Sequence, residues 1–236
     1  MDILSSIEQE SAVLSSEKWK KRPRVVLNTE SRGEAEGTLI QFTTPCPLYN
    51  FVISSAKESG GTVLMLDFDN SVKMGHLLKS FSMEEIKASV RIHKANNWHS
   101  FSNLFDHIPH LMFENPNVAA VIVFGLANPY LYYQKRKSDQ QIISKDNFVY
   151  QILAKTNQAF SHYKIPVFVP KCLVESPSNQ SDEPPSWPSF IAGQLQFVRA
   201  NDDEEYVGKF ESHDGQVSEI NCISKRSEGQ QQQNTK

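Results

Sequence analysis

The chain is poor in cysteine, and its three cysteines are not placed to act together. Cys46, Cys172 and Cys222 lie far apart and form no CxxC pair. We therefore expect neither a disulfide framework nor a zinc site built on paired cysteines. This pattern favours a reducing compartment, the cytosol or the nucleus.

Long hydrophobic runs and an excess of one charge are also missing. The longest apolar run, residues 118–126, is far shorter than a bilayer span, so we expect no membrane protein. No basic and apolar leader follows Met1, which argues against secretion. The net charge is −3, from 24 Lys and Arg against 27 Asp and Glu. This slightly acidic balance argues against binding to nucleic acid by bulk charge alone, but it does not exclude a local basic patch.

Composition divides the chain into a long central part and two polar ends. Residues 1–24 contain a short helical pattern, residues 3–14, and then a basic stretch, so we expect a flexible N-terminal segment. Residues 225–236 carry almost nothing apolar and are expected to be a disordered tail. One domain, residues 25–224, lies between them.

Apolar strand patterns alternate with helical patterns along the central part. Residues 62–68 and 118–124 are uninterrupted apolar runs, which is typical of strands buried on both faces of a sheet. Helical patterns cover residues 48–59, 77–81, 98–113 and 145–163, and three further strands follow residue 195. The sequence therefore predicts an α/β fold: a mainly parallel twisted sheet flanked by helices, with antiparallel strands at its C-terminal edge.

The order of these segments resembles the RecA-type recombinase core, in the divergent form of eukaryotic recombinase paralogues. The resemblance covers about 200 residues and rests on six segments that occur in the order of the family. Residues 37–42 resemble the strand that leads into the phosphate loop, residues 61–67 the next strand, and residues 89–98 a strand before a helix. Residues 122–130 resemble the Walker B strand and its exit, residues 167–172 a later strand, and Trp187 with the strands after it the closing hairpins.

The chain departs from this family where the family binds nucleotide. In the corresponding loop, Thr43 and Leu48 stand in place of glycines, Tyr49 in place of the lysine, and Asn50 in place of the Ser or Thr that holds Mg²⁺. Phe124 stands in place of the Walker B aspartate. We therefore expect a degenerate site that binds neither ATP nor another cofactor, and a protein that is not an enzyme.

A RecA-like core without its ATP machinery retains a surface for partner subunits. The resemblance implies a non-catalytic subunit of a Shu-type mediator complex in the nucleus. Its expected partners are another recombinase paralogue, a SWIM-type zinc-binding protein and the strand-exchange recombinase. Such complexes promote the assembly and stability of recombinase filaments on single-stranded DNA during homologous recombination and DNA repair. A non-catalytic RecA-like subunit of Elongator, which serves tRNA modification, is the alternative within the same fold.

Two short basic stretches are candidates for weak contact with single-stranded DNA. Lys20, Lys21 and Arg22 lie beside an aromatic residue, Trp19, which is a composition suited to phosphates and stacked bases. Lys135, Arg136 and Lys137 follow three tyrosines, where the resemblance places the first DNA-binding loop of the family. The region of its second DNA loop, residues 173–187, carries only acidic charges, so contact with DNA is expected to be shared with partners.

A third hypothesis belongs to a different class of protein. Asp67 and Asp69 follow a buried strand and resemble the first motif of haloacid-dehalogenase-type phosphatases, in which the first Asp is the nucleophile and the second the acid or base. The other elements of that chemistry, a hydroxyl at the end of the next buried strand among them, are not found. The four histidines between residues 93 and 110 lack the further ligands of a tetrahedral site, so no metal site is predicted.

Overall fold

The strands in the described part of the chain join into one eight-stranded sheet. The computed structural model describes residues 25, 39–43, 45–95, 98–126, 145–171, 191–199, 206–212 and 215–222. The strands are β1 (Leu39–Phe42), β2 (Thr62–Asp67), β3 (Val90–Lys94), β4 (Val118–Phe124), β5 (Val167–Pro170), β6 (Ile191–Arg199), β7 (Tyr206–Ser212) and β8 (Val217–Cys222). The helices are α1 (Pro45–Glu58), α2 (Met74–Leu77), α3 (Met83–Ser89), α4 (Trp98–Glu114) and α5 (Lys145–Phe160), and a 3₁₀ turn, Ser161–Tyr163, follows α5.

The sheet is parallel over six strands and antiparallel at one edge. Its order is β3-β2-β4-β5-β1-β6-β7-β8. Strands β1 to β6 are parallel to one another, while β7 and β8 extend β6 as an antiparallel meander. The central strand β4 is buried at all seven positions, because a parallel strand covered on both faces has no side that meets water. The predicted α/β class and its antiparallel C-terminal edge are confirmed.

Helices cover both faces of the parallel part, and each face has its own core. Helices α1, α2 and α3 pack on one face, here called the α1 face, and α4 and α5 pack on the other. The chain moves towards the β3 edge along the α1 face and returns along the opposite face, so the four crossovers share one hand, as the rule for parallel connections requires. The chain leaves β2 and β4, which are neighbours, towards opposite faces. Such a switch point opens a crevice at the carboxyl ends of the two strands.

The segment between β2 and β3 differs from its prediction. A helix was expected over residues 77–81, but α2 ends at Leu77 and a second helix, α3, begins at Met83. Ser82 accepts a hydrogen bond from the N–H of Glu85, and the Glu85 carboxylate accepts one from the N–H of Ser82, which is a capping box. The Ser-x-x-Glu spacing was therefore the sequence signal for this helix start. In the described ranges, no helix has both the length and the apolar character to cross a lipid bilayer.

Replacing Glu85 with glutamine should lower the free energy of unfolding by roughly 0.5 kcal/mol at neutral pH. Lys57 on α1 pairs with the Glu85 carboxylate, and this pair, together with the Ser82 N–H, lowers the pKa of Glu85 to about 2. Glutamine still accepts from Ser82 but loses the charge. The effect is small because both side chains are more than one third exposed, at 37% and 42%.

The pH dependence of this effect follows from the direction of the pKa shift. A carboxylate with a lowered folded-state pKa stabilises the fold above its unfolded pKa of 4.5, and the contribution is lost as pH falls through about 2. Urea unfolding of the wild type and Glu85→Gln should therefore differ at pH 6 and converge near pH 2. Glu84→Gln, at the neighbouring exposed position, is the control. A difference that stays constant down to pH 2 would contradict the pairing.

Candidate functional site

The stretch that the resemblance aligns with a phosphate loop, residues 43–50, is mostly helical. Only Thr43 and Thr44 separate the end of β1 from the start of α1 at Pro45. Pro45 and Pro47 lie in the first turn of α1, where backbone N–H groups have no partner within the helix and proline is tolerated. A two-residue connection leaves no room for a glycine-rich loop that wraps a phosphate.

Aromatic side chains meet where the resemblance places the lysine and the Walker B aspartate. Tyr49 and Phe124 are each 4% exposed, and their ring centroids are 5.5 Å apart. The ring of Phe42, at the end of β1, lies 6.2 Å from Phe124 in an edge-to-face arrangement. Leu48, which precedes Tyr49, is fully buried, whereas Thr43 is exposed and Asn50 is half-buried. These side chains join β1, α1 and β4 through an apolar cluster, which we call the aromatic cluster (Phe42, Tyr49 and Phe124).

The carboxylate of Asp67 is fully buried at the end of β2 and organises the loop that follows. The N–H of Ser71 donates to Oδ1 at 3.0 Å, and the N–H of Val72 donates to Oδ2 at 3.3 Å. Lys94 Nζ, at the end of the adjacent strand β3, lies 3.9 Å from Oδ2. Asp67 is therefore a loop-capping residue whose two oxygens both face donors.

Asp69 and Asn70 continue this turn on the solvent side. Asp69 is exposed, and its Oδ1 also accepts from the Ser71 N–H at 3.0 Å. Asn70 has a φ of 59°, in the left-handed region that asparagine tolerates, and its side-chain oxygen accepts from Lys94 Nζ at 2.6 Å. The backbone oxygen of Asn70 accepts from Lys73 Nζ at 2.8 Å. Two ammonium groups thus stabilise a turn that the two aspartates shape.

The carboxyl ends of β2 and β4 approach each other closely at a glycine. Gly125 follows β4 with a φ of 68°, and a Cβ at this position would lie 2.5 Å from the Cβ and 2.8 Å from the backbone N of Asp69. The N–H of Phe68 donates to the carbonyl of Phe124 at 3.1 Å, which holds the two strand ends together. Asp69 therefore packs directly against the backbone that follows β4.

Replacing Asp67 with asparagine should lower the free energy of unfolding by about 1–3 kcal/mol. The asparagine oxygen can accept from one of the two N–H groups, but its NH₂ group then faces the other donor inside a buried turn. Asp69→Asn is the matched control, because Asp69 is exposed and one oxygen suffices for Ser71. Urea unfolding measures both. Equal losses in the two variants would contradict the capping role of Asp67.

The predicted group of histidines between residues 93 and 110 is not a joint site in the described residues. His93 on β3 is half-buried, and the burial lowers its pKa against an opposing effect of Glu114. His107 Nδ1–H donates to the carbonyl of Asn103 at 2.7 Å, and His110 Nε2 lies 3.2 Å from Glu114. Within the described ranges, no three His, Cys, Asp or Glu side chains come together as metal ligands would. The side chain of His99 lies outside the described residues.

The basic stretches predicted to meet DNA lie outside the described residues. This applies to Lys20, Lys21 and Arg22 and to Lys135, Arg136 and Lys137, so their DNA contact stays a prediction. Sequence reasoning missed Phe42, Lys94 and Gly125 as parts of the two clusters. The signal for Lys94 was its place at the end of β3, since the carboxyl ends of parallel strands meet at one edge.

Comparisons with known proteins identify no family for this chain. No protein-family model matches the sequence, and no curated protein matches it at a significant level. The described site therefore has two parts, an aromatic cluster at β1, α1 and β4 and an aspartate-capped turn at β2. Among the described residues, neither part contains a buried Lys or Arg or a row of glycine N–H groups that could bind a phosphate.

Proposed function

We propose that this chain is a non-catalytic RecA-like subunit of a Shu-type mediator complex, acting in the nucleus in homologous recombination and DNA repair. The observation that carries the proposal is apolar packing at the residues that the resemblance aligns with a phosphate site. Helix α1 starts at Pro45, and Tyr49 and Phe124 are buried against each other. A core of this kind can present surfaces to other subunits but has lost the residues for nucleotide chemistry.

The order of the elements supports a RecA-like core. A strand, β1, leads directly into α1, and β2, β3 and β4 follow as parallel strands with helices between them. The late strands β6, β7 and β8 form the meander that the resemblance describes as closing hairpins. Each feature occurs in many α/β proteins, and it is their order along the chain that favours this family.

The proposed action is conformational. The chain, with another recombinase paralogue and a SWIM-type zinc-binding protein, binds the strand-exchange recombinase in its filament form. Binding of one conformation over another shifts the assembly equilibrium towards filaments on single-stranded DNA. About 1–2 kcal/mol per interface changes the equilibrium constant roughly 5- to 30-fold, which is enough to change filament length.

Affinity purification of the tagged chain from its own cells tests this proposal. We expect a recombinase paralogue and a SWIM-type protein to copurify, and a tagged nuclear protein of unrelated fold serves as the control. Recovery of Elongator subunits would agree with the proposed RecA-like fold but would replace the proposed role in recombination with one in tRNA modification. Recovery of the chain without stable partners would contradict both assemblies.

Addition of Mg²⁺ and ATP should leave the thermal midpoint of the chain unchanged. A ligand that binds only the folded state at about 100 times its Kd stabilises it by about 2.7 kcal/mol, so millimolar ATP would reveal even weak binding. Differential scanning fluorimetry with ATP, ADP and buffer alone measures this. A midpoint that rises with ATP concentration would contradict the loss of the nucleotide site.

The phosphatase hypothesis is less well supported. A nucleophilic aspartate must meet its substrate, but Asp67 is fully buried and both of its oxygens accept backbone N–H groups. Mg²⁺-dependent hydrolysis of an aryl phosphate that is abolished by Asp67→Asn in a variant that still folds would nevertheless establish it. We expect no such hydrolysis.

A further inference from the structure

The sheet ends in two edge strands, and the first of them, β3, is protected against pairing with another strand. In the described part of the chain, β3 and β8 each have a neighbour on one side only. The guanidinium of Arg91 on β3 donates to the carbonyls of Lys87 and Val90 at 2.6 Å and 3.0 Å. Lys94 adds a second cation to the same strand. Charged side chains on an edge strand are a common means of preventing contact with further strands.

The other edge strand, β8, has no protection of this kind. Residues 217–222 contain no Lys, Arg or Pro, and β8 pairs with β7 without a register shift. Val217 is 64% exposed, and Glu219 is exposed as well. A regular edge strand of this composition presents its outward N–H and C=O groups to any strand that can align with it.

The hairpin between β7 and β8 determines which backbone groups of β8 point outward. The N–H of Ser212 donates to the carbonyl of Gln216 at 2.9 Å, so these two residues form a hydrogen-bonded pair of the ladder. Hydrogen-bonded pairs alternate along an antiparallel ladder. The even-numbered residues of β8 therefore direct their N–H and C=O groups to β7, and the odd-numbered residues direct theirs away from the sheet.

Two symmetric registers pair most of β8 with the β8 of a second copy through these outward groups. A register centred on Glu219 places two carboxylates directly opposite each other, which destabilises the pairing. A register centred on Ile220 places Glu219 opposite the uncharged Asn221 of the second copy, and both residues then use their outward N–H and C=O groups. The charge of Glu219 therefore selects the register centred on Ile220.

The register centred on Ile220 also continues the apolar core. Ile220 belongs to the core cluster of the α1 face, together with Phe210 on β7. In this register the two Ile220 residues form a non-hydrogen-bonded pair, in which opposite side chains approach most closely. The core of one copy thus meets the core of the other at the symmetry axis, which favours a second copy over an unrelated strand.

We propose that two copies of the chain associate through β8, antiparallel and centred on Ile220, into one continuous sheet. The contact is isologous, because the same strand of each copy supplies it. Two short strands bury little surface, so the association is weak and depends on concentration. This inference does not depend on the proposed mediator role.

Light scattering of the purified full chain tests the association. We expect the monomer mass at about 5 µM and a mass approaching twice that value at about 500 µM. Glu219→Pro should remain monomeric at both concentrations, because proline lacks the outward N–H but leaves the ladder with β7 intact. Glu219→Thr is the matched control and should still dimerise. Both variants lose the exposed ion pair with Lys209, whose Nζ lies 3.9 Å from Glu219 Oε1.

Disulfide cross-linking tests the register and does not require Glu219→Pro to fold. In a chain whose three native cysteines are replaced by serine, Ile220→Cys should cross-link two copies about tenfold faster than Glu219→Cys. The register centred on Ile220 places the two cysteines of Ile220→Cys opposite each other, whereas those of Glu219→Cys are two positions apart. A wild type that stays monomeric at the higher concentration, or a Glu219→Pro variant that folds and dimerises, would overturn the proposal. Cross-linking of Glu219→Cys as fast as that of Ile220→Cys would also overturn it.

Discussion

Replacing Phe124 with alanine should lower the free energy of unfolding by about 3–5 kcal/mol. Phe124 is buried at the end of β4 and contacts both Phe42 and Tyr49. Removal of its ring leaves a cavity that β1 and α1 cannot fill without moving. Phe113→Ala is the matched control, because Phe113 on α4 is 67% exposed. Urea unfolding of the two variants should differ by several kcal/mol.

A double-mutant cycle separates the aromatic contact from burial alone. We expect the double variant Tyr49→Ala/Phe124→Ala to lose about 0.5–1.5 kcal/mol less free energy of unfolding than the sum of the two single losses. This coupling follows from the ring contact at 5.5 Å. Additive losses, or a Phe124→Ala loss as small as that of Phe113→Ala, would contradict the aromatic cluster as a structural element.

Replacing Gly125 with alanine should cost about 2–5 kcal/mol, because two independent penalties act at this position. Its φ of 68° is one that L residues rarely adopt, and an added Cβ would collide with Asp69. We expect the collision to push the Asp67–Asp69 turn away from β4. Urea unfolding measures the loss, and a loss under about 1 kcal/mol would contradict the close approach of the two strand ends.

Three other glycines serve as controls that separate these penalties. Gly60→Ala meets only the positive φ of 73° and should cost about 1–2 kcal/mol. Gly193→Ala meets only a collision, with the backbone carbonyl oxygen of Glu211 and with Cζ of Phe210, and should cost about 1–3 kcal/mol. Gly75→Ala, in helix α2, meets neither and should stabilise the chain by about 0.5–1 kcal/mol. If Gly125→Ala loses no more free energy of unfolding than Gly60→Ala, then Asp69 moves aside at little cost and the collision adds no penalty.

The buried strands and the amphipathic helices could be predicted from local patterns. Strand β4 has the predicted bounds, because a short unbroken apolar run rich in valine and isoleucine favours a strand covered on both faces. Helix α4 was predicted from its apolar face, and Ile108 and Met112 on that face are fully buried. The start of α1 was misplaced by three residues. Pro45 and Pro47 suggest a loop, but a proline in the first turn of a helix costs little.

The sequence by itself determined that residues 43–50 contain no lysine and that Phe124, not an aspartate, ends the run 118–124, since a residue type is read directly from the chain. It also determined the α/β class, because the period of the apolar residues is a local property. Only the tertiary structure decided that Tyr49 and Phe124 pack together and that Asp67 caps a buried turn. Tyr49 and Phe124 lie far apart in the chain, and their contact depends on the strand order, which no local pattern encodes. The hydrogen bonds of Asp67 reach only four and five residues along the chain, but its approach to Lys94 depends on the pairing of β2 with β3.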